Sequence, residues 1–171
     1  MKQKVSVLLV LMVIFISICV CESNKKSKNV SVTVDNNNIE CYRVNDSDHE
    51  FNTHIFEDKF EKGNDDNIEY IDIGKKVVLD FGDRIPEKVV VYDHLLNSEG
   101  KIMYTEKEIS EVTVTEENNK YYFEVPYNMA SLLSSYYEEN KKDFRGFKVI
   151  ASWSWGDTEE LYAFVIKSDA Y

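Results

Sequence analysis

The chain opens on an apolar run, Val5 to Val20, broken only by Ser6, Ser17 and Cys19 and preceded by Lys2 and Lys4. A positive start followed by such a core is the layout of an export signal. The run is short for a membrane span, which needs about 20 apolar residues, although an uncleaved anchor would share its pattern. Glu22, Ser23 and Asn24, with Lys25, Lys26 and Lys28, end it abruptly, and residues 22–29 read as a polar stalk.

Beyond the stalk the apolar period changes to two. Val30-Ser31-Val32-Thr33-Val34 and Ile39-Glu40-Cys41-Tyr42-Arg43-Val44 alternate around Asp35-Asn36-Asn37-Asn38, which predicts a hairpin. Residues 45–67 are crowded with acids, and Phe51, Ile55, Phe56 and Phe60 are scattered through them, as in a loop with room for one irregular strand or helical turn. Eight β-rich runs follow: 68–73, 76–81, 88–93, 101–104, 112–115, 121–125, 147–155 and 161–167. Most are separated by turn residues such as Gly82-Asp83, Asn97 to Gly100, Glu117 to Asn119 and Gly156-Asp157. Short strands at this spacing predict an antiparallel sandwich. Val89-Val90-Val91-Tyr92 and Tyr162-Ala163-Phe164-Val165-Ile166 are apolar on both faces, as strands covered on both sides must be. The last two runs are expected to pair as a closing hairpin.

One segment departs from period two. Met129, Leu132, Leu133, Tyr136 and Tyr137 share one helical face, with Asn128 placed to cap the start and Gly146 beyond the end. The expected fold is therefore mainly β: an immunoglobulin-like antiparallel β-sandwich with one short connecting helix at about 128–141, its stripe covering the core. Residues 1–21 form the signal peptide or lipoprotein leader. Residues 22–66 supply stalk, hairpin and acidic loop, and residues 67–171 the sandwich.

Charge narrows the partners. Two of the 20 Lys and Arg lie in the leader, which holds none of the 31 Asp and Glu, so the rest of the chain carries −13. Such a surface repels phosphates, which argues against nucleic acid and against docking on anionic lipid. Hydrophobic residues at 43% suffice for a packed core rather than a disordered chain. Only Cys41 lies beyond the leader, so packing alone must hold the mature domain. Cys21 and Cys19 are candidate lipid-attachment sites, following Ile18-Cys19-Val20 and Ile16-Ser17-Ile18 respectively. Both put a β-branched residue where a small one is usual. The same cysteines also suit ordinary signal-peptidase cleavage after Cys21.

Val78-Leu79-Asp80-Phe81-Gly82, the Pro86 step into Val89-Val90-Val91-Tyr92-Asp93, Phe144-Arg145-Gly146-Phe147-Lys148-Val149 and Tyr162-Ala163-Phe164-Val165-Ile166 carry a resemblance. In that order they resemble small exported lipoproteins of low-GC Gram-positive bacteria. They are also similar to extracytoplasmic tails of membrane metallopeptidases of the beta-lactam-sensor type. The resemblance covers about the C-terminal two-thirds of the chain and rests on structural phrases. It implies a domain type and a location, and no activity.

Candidate chemistry is sparse. His49-Glu50-Phe51-Asn52-Thr53-His54 looks like the zinc-peptidase signature HExxH with one residue too many. On a helix, histidines at i and i+4 lie about 40° apart and reach one metal, whereas at i and i+5 they diverge by about 140°. Looser metal capture by Asp46, Asp48, His49 and His54 is the alternative, and a solvated acidic loop the plain reading. No G-x-S-x-G elbow or glycine-rich phosphate loop occurs, and Cys41 on an alternating strand reads as a small apolar residue. Trp153 and Trp155 point to one face of a strand, as core or as an aromatic platform for a ligand.

The expected protein has no enzymatic activity and no cofactor. It is expected outside the cytoplasmic membrane, lipid-anchored, anchored by its uncleaved leader or secreted. There it binds or senses an envelope protein, peptide or glycan. A metal-dependent hydrolase built on the acidic segment and a structural accessory domain are the rival readings.

Overall fold

A computed structural model describes residues 30–44, 54–60, 67–104, 109–133, 138–154 and 158–171. The first sheet is built from β1 (Ser31–Val34), β2 (Asn37–Ile39), β4 (Lys76–Asp80), β7 (Thr115–Glu117) and β8 (Lys120–Glu124), in the order β2-β1-β4-β8-β7. The second contains β3 (Cys41–Val44), β5 (Lys88–Leu96), β6 (Ser110–Val112), β9 (Lys142–Trp153) and β10 (Thr158–Asp169), in the order β3-β10-β9-β5-β6. Every strand pair is antiparallel. Among the described residues no helix is long and apolar enough to cross a membrane.

Period two explains the core. Val32, Val77, Leu79 and Phe123 of the first sheet face Val91, Phe147, Val149, Phe164 and Ile166 of the second. The rings of Phe147 and Phe164 stack at 5.0 Å, and Phe123 lies 5.3 Å from Phe147. β10 is buried on both sides, as its unbroken apolar run predicts. Tyr162, Phe164 and Ile166 face the other sheet, while Ala163 and Val165 lie under Ile55, Phe56 and Phe60 of a cap at 54–60.

The register defines two ends. Ser31 pairs with Asp80, the last residue of β4, so residues 1–29 join the sandwich where β4 finishes. The β9–β10 connection lies at this entry end, because Lys88 at the start of β5 pairs with Ser152. Phe81 meets Tyr121, Trp153 and Tyr162 edge-on there, at 5.8, 6.1 and 6.0 Å. At the far end lie the close of β8, where Lys76 pairs with Glu124, the close of β5, and the pairing of Lys142 with Asp169.

The hairpin forms with a tighter turn than expected. Asp35 and Asn36 both adopt positive φ, 49° and 68°, the requirement of a two-residue primed turn. After Glu40 the chain changes sheets, and β3 pairs with β10, from Leu161 with Val44 to Phe164 with Cys41. Residues 31–44, set apart from 67–171 in the sequence reading, thus contribute strands to both sheets. Three expected strands shrink or divide. Residues 68–73 make one parallel bridge, Tyr70 with Lys167, and 101–104 one bridge, Ile102 with Leu96. Residues 112–115 split between β6 and β7.

The helix expected at 128–141 is corrected. Among the described residues a 3-10 segment, Met129–Leu133, stands at its start, and β9 has begun by Lys142. Asn140 adopts φ 61°, a left-handed geometry that no helix continues through. The described part of the expected stripe is also inverted, and Tyr136 and Tyr137 lie outside the described residues. Ala130 and Ser131 are buried, whereas Met129, Leu132 and Leu133 are exposed. Polar contacts of Asn128 with the interior set this orientation.

Candidate functional site

Two opposite charges lie inside the sandwich. Asp93 projects from the inner face of β5 and Arg145 from that of β9, with side chains 0% and 1% exposed. Arg145 Nε donates to Asp93 Oδ1 at 3.1 Å, and Nη2 donates to Oδ2. Asn128 Nδ2 adds a third donor to the carboxylate at 2.9 Å, and Arg145 Nη1 donates to the Pro126 carbonyl at 2.7 Å. Burial pushes the Asp93 carboxyl upward, while Arg145 and Asn128 pull it the other way. A buried pair offsets its desolvation only when its remaining hydrogen-bonding capacity is filled. Here the segment after β8 helps to fill it.

That segment is held in return. The Ala130 N–H donates to Asn128 Oδ1 at 2.9 Å, and the Ser131 N–H to the Asn128 carbonyl at 3.0 Å. With Asn128, Ala130 and Ser131 turned inward, Tyr127, Met129, Leu132 and Leu133 point out, at 65, 66, 55 and 57% exposure. Large apolar side chains clustered in the open mark an interaction surface more often than single ones do. A groove of about 620 Å³ adjoins Tyr127, lined by Tyr122, Glu124, Val112, Thr113 and Lys76. The Lys76 ammonium lies 3.8 Å over the Tyr122 ring.

The position of this cluster is as informative as its composition. Among the described residues the other exposed large hydrophobic side chains are Tyr70, Met103 and Tyr171. Tyr70 bridges to Lys167 near the end of β10, the Met103 N–H bonds Leu95 near the end of β5, and Tyr171 follows β10. All seven therefore sit at the far end, opposite the attachment of residues 1–29. Tyr70 and Tyr171 are pinned by their hydroxyls. Tyr70 donates to Asp169 at 2.8 Å, and Tyr171 both accepts from the Glu138 N–H and donates to its carbonyl.

The residues singled out in the sequence are dispersed. Trp153 is buried at the entry end, its indole N–H donating to the Arg84 carbonyl at 3.2 Å and its ring lying 4.3 Å beneath the Arg84 guanidinium. Arg84 Nη1 also donates to Glu160 at 2.6 Å, where Arg43 and the Tyr162 hydroxyl converge. Burial raises the Glu160 carboxyl, but these donors together hold it below its ordinary range. His54 is exposed, with Nδ1 2.6 Å from Glu57 Oε1. Asp46, Asp48, His49, Trp155, Cys19 and Cys21 lie outside the described residues. Cys41 is half-buried beside the main core, and burial pushes its thiol up to about 12, against the opposing pull of Lys59. At that value the thiolate is not formed at neutral pH. Among the described residues no group of three or more His, Cys, Asp or Glu is placed to hold a metal ion.

Sequence periodicity missed the far-end cluster because helical spacing assigned its apolar residues to the core. A partial signal was present elsewhere: Asp93 follows the apolar run Val89 to Tyr92, and Arg145 stands between Phe144 and Gly146-Phe147. No protein-family model matches the chain, and no curated protein or solved structure matches it either.

Proposed function

We propose that the protein is a non-catalytic binding or sensing module of the cell envelope, displayed outside the cytoplasmic membrane. It is tethered through its N-terminus, by a lipid on Cys19 or Cys21 or by the leader itself, or is released by cleavage. Its partner is an envelope protein, peptide or glycan. The observation that carries the reading is the placement of every exposed large hydrophobic side chain, among the described residues, at the end opposite the tether. A module held at one end and apolar at the other presents its contact surface away from its attachment. Tyr, Met and Leu side chains on a fixed backbone supply contact area at small entropic cost.

The immunoglobulin-like assignment is supported by strand order. β1, β4, β8 and β7 follow the pattern A-B-E-D, and β10, β9, β5 and β6 follow G-F-C-C′. The inter-sheet disulfide of antibody domains has no counterpart here, since Cys41 is the one cysteine beyond the leader. The stacked rings of Phe147 and Phe164 occupy the middle of the core instead. The proposed kinship with small exported lipoproteins agrees with this arrangement of tether and domain.

A photo-activated cross-linking side chain placed at Leu133 and, separately, at exposed Glu117 in β7 tests the reading on intact cells. Adducts are expected from Leu133 and not from Glu117. Adducts from Glu117 alone, or a protein recovered from the cytosol, would overturn it.

A further inference from the structure

The outer face of the second sheet carries a second device, independent of the far-end cluster. His94 lies on that face of β5, opposite Gly146 of β9. It is 6% exposed, and neither ring nitrogen has a hydrogen-bond partner. A buried imidazole without a partner is uncommon, since an unsatisfied polar group costs stability. Its cover is Phe56 of the 54–60 cap, fully buried, with ring centroids 5.8 Å apart. The same ring is seated on Gly146. A β-carbon there would lie 2.7 Å from Phe56 ring carbons, so only glycine leaves room.

Ile55 and Phe60 hold the cap as well, buried with Phe56 in the cluster on Ala163 and Val165. Phe60 packs over Gly100 and meets Phe144 edge-on at 5.0 Å. The Tyr42 hydroxyl donates to the Ile55 carbonyl, and Lys59 pairs with Glu40. A 3-10 turn at Glu57–Lys59 closes the segment on itself. Phe56 is thus a plug, and the group beneath it is one that takes up a proton in mild acid.

We propose that His94 and Phe56 form an acid-sensitive latch, in which protonation of the buried imidazole releases the 54–60 cap from the outer face of the second sheet. Closed, the site offers an imidazolium no acceptor. Open, water does. Burial, reinforced by Lys148 on the neighbouring strand, pushes His94 down to about 4 from its ordinary 6.5. The closed state therefore holds fully above the free-imidazole range and weakens as pH falls toward the lowered value, because the open state binds the proton more tightly.

Other titratable and charged groups around the latch are accounted for. β9 contributes Lys148, β5 contributes Tyr92, and β6 contributes Glu111, paired with Tyr92. The cap itself carries His54, Glu57, Asp58 and Lys59, and the 97–101 turn carries Glu99 and Lys101. The pairs His54–Glu57 and Lys59–Glu40 also bear on the cap. A response carried by those groups would survive removal of His94, and one carried by the latch would not.

Hydrogen exchange of the amides of residues 55–60 in the full chain, corrected for intrinsic rates, separates the two. Between about pH 7.5 and 4.5 the open population is expected to rise at least about tenfold in the native protein. In His94→Gln it is expected to change by less than about twofold, whereas His54→Ala responds like the native protein. An unchanged response in His94→Gln, or its loss in His54→Ala, would overturn the latch. Should His94→Gln not fold, titration of the native His94 ring by NMR decides. Protonation coincident with cap exchange supports the latch, and protonation with the cap still closed refutes it.

Discussion

Replacing Arg145 by leucine is expected to destabilise the sandwich by about 3–5 kcal/mol, the usual cost of stranding one partner of a buried pair. The change removes two donors from Asp93 and one from the Pro126 carbonyl. Asp93 would remain completely buried with Asn128 as its single side-chain donor. The double variant Arg145→Leu with Asp93→Leu is expected to recover part of the loss, since apolar replacements of buried pairs are often tolerated. Recovery should be incomplete, because Asn128 then loses its acceptor and the Tyr127–Leu133 segment its footing. Chemical denaturation of the single and double variants gives the comparison. A single variant as stable as the parent would mean that the pair does not organise the far end.

Phe164→Ala is expected to cost a similar amount, about 3–5 kcal/mol, for a different reason. Its ring is stacked at 5.0 Å on Phe147, with a 12° angle between planes, and lies 6.5 Å from Phe123 of the opposite sheet. Truncation would open a cavity at the point where the sheets meet, in a domain without a disulfide. Against a typical stability of about 5–15 kcal/mol, that loss threatens folding at growth temperature. Thr158→Ser, at the exposed start of β10, should change stability by no more than about 0.5 kcal/mol. Equal urea midpoints for the two variants would remove the last strand from the core.

Much of this architecture was legible in the sequence because strands announce themselves with period two. Val32, Val34, Tyr121 and Phe123 all occupy the inner faces that alternation assigns them, and Val149 and Phe164 lie in covered layers as expected. The passage of the chain from one sheet to the other at Glu40 left only a slight trace, the shift of apolar positions from Ile39 and Cys41 to Tyr42 and Val44, with no turn residue to mark it. The orientation of residues 129–133 was not legible. Apolar spacing there fits a helix packed on the core, but Asn128 bonds Asp93 and the Ala130 N–H and so turns Ala130 and Ser131 inward. Long-range polar contacts overrode a local pattern.

The candidate site was hidden for the same reason. Asp93 and Arg145 were visible as charges among apolar neighbours, but they lie 52 residues apart, and nothing local pairs them. The latch residues His94, Phe56 and Gly146 come from three distant segments. Each reads as ordinary alone, and only the register of His94 with Gly146 joins them.

The native chain carries its own reporters of far-end binding. Of its four methionines, Met103 and Met129 lie beyond the leader, and both are exposed at the far end. The rate of Met129 oxidation by a mild oxidant, measured on intact cells and on purified protein, tests the central claim most directly, since cover by a partner excludes oxidant and water alike. Protection of Met129 by several-fold on cells is the predicted result. Equal rates in the two settings would contradict it.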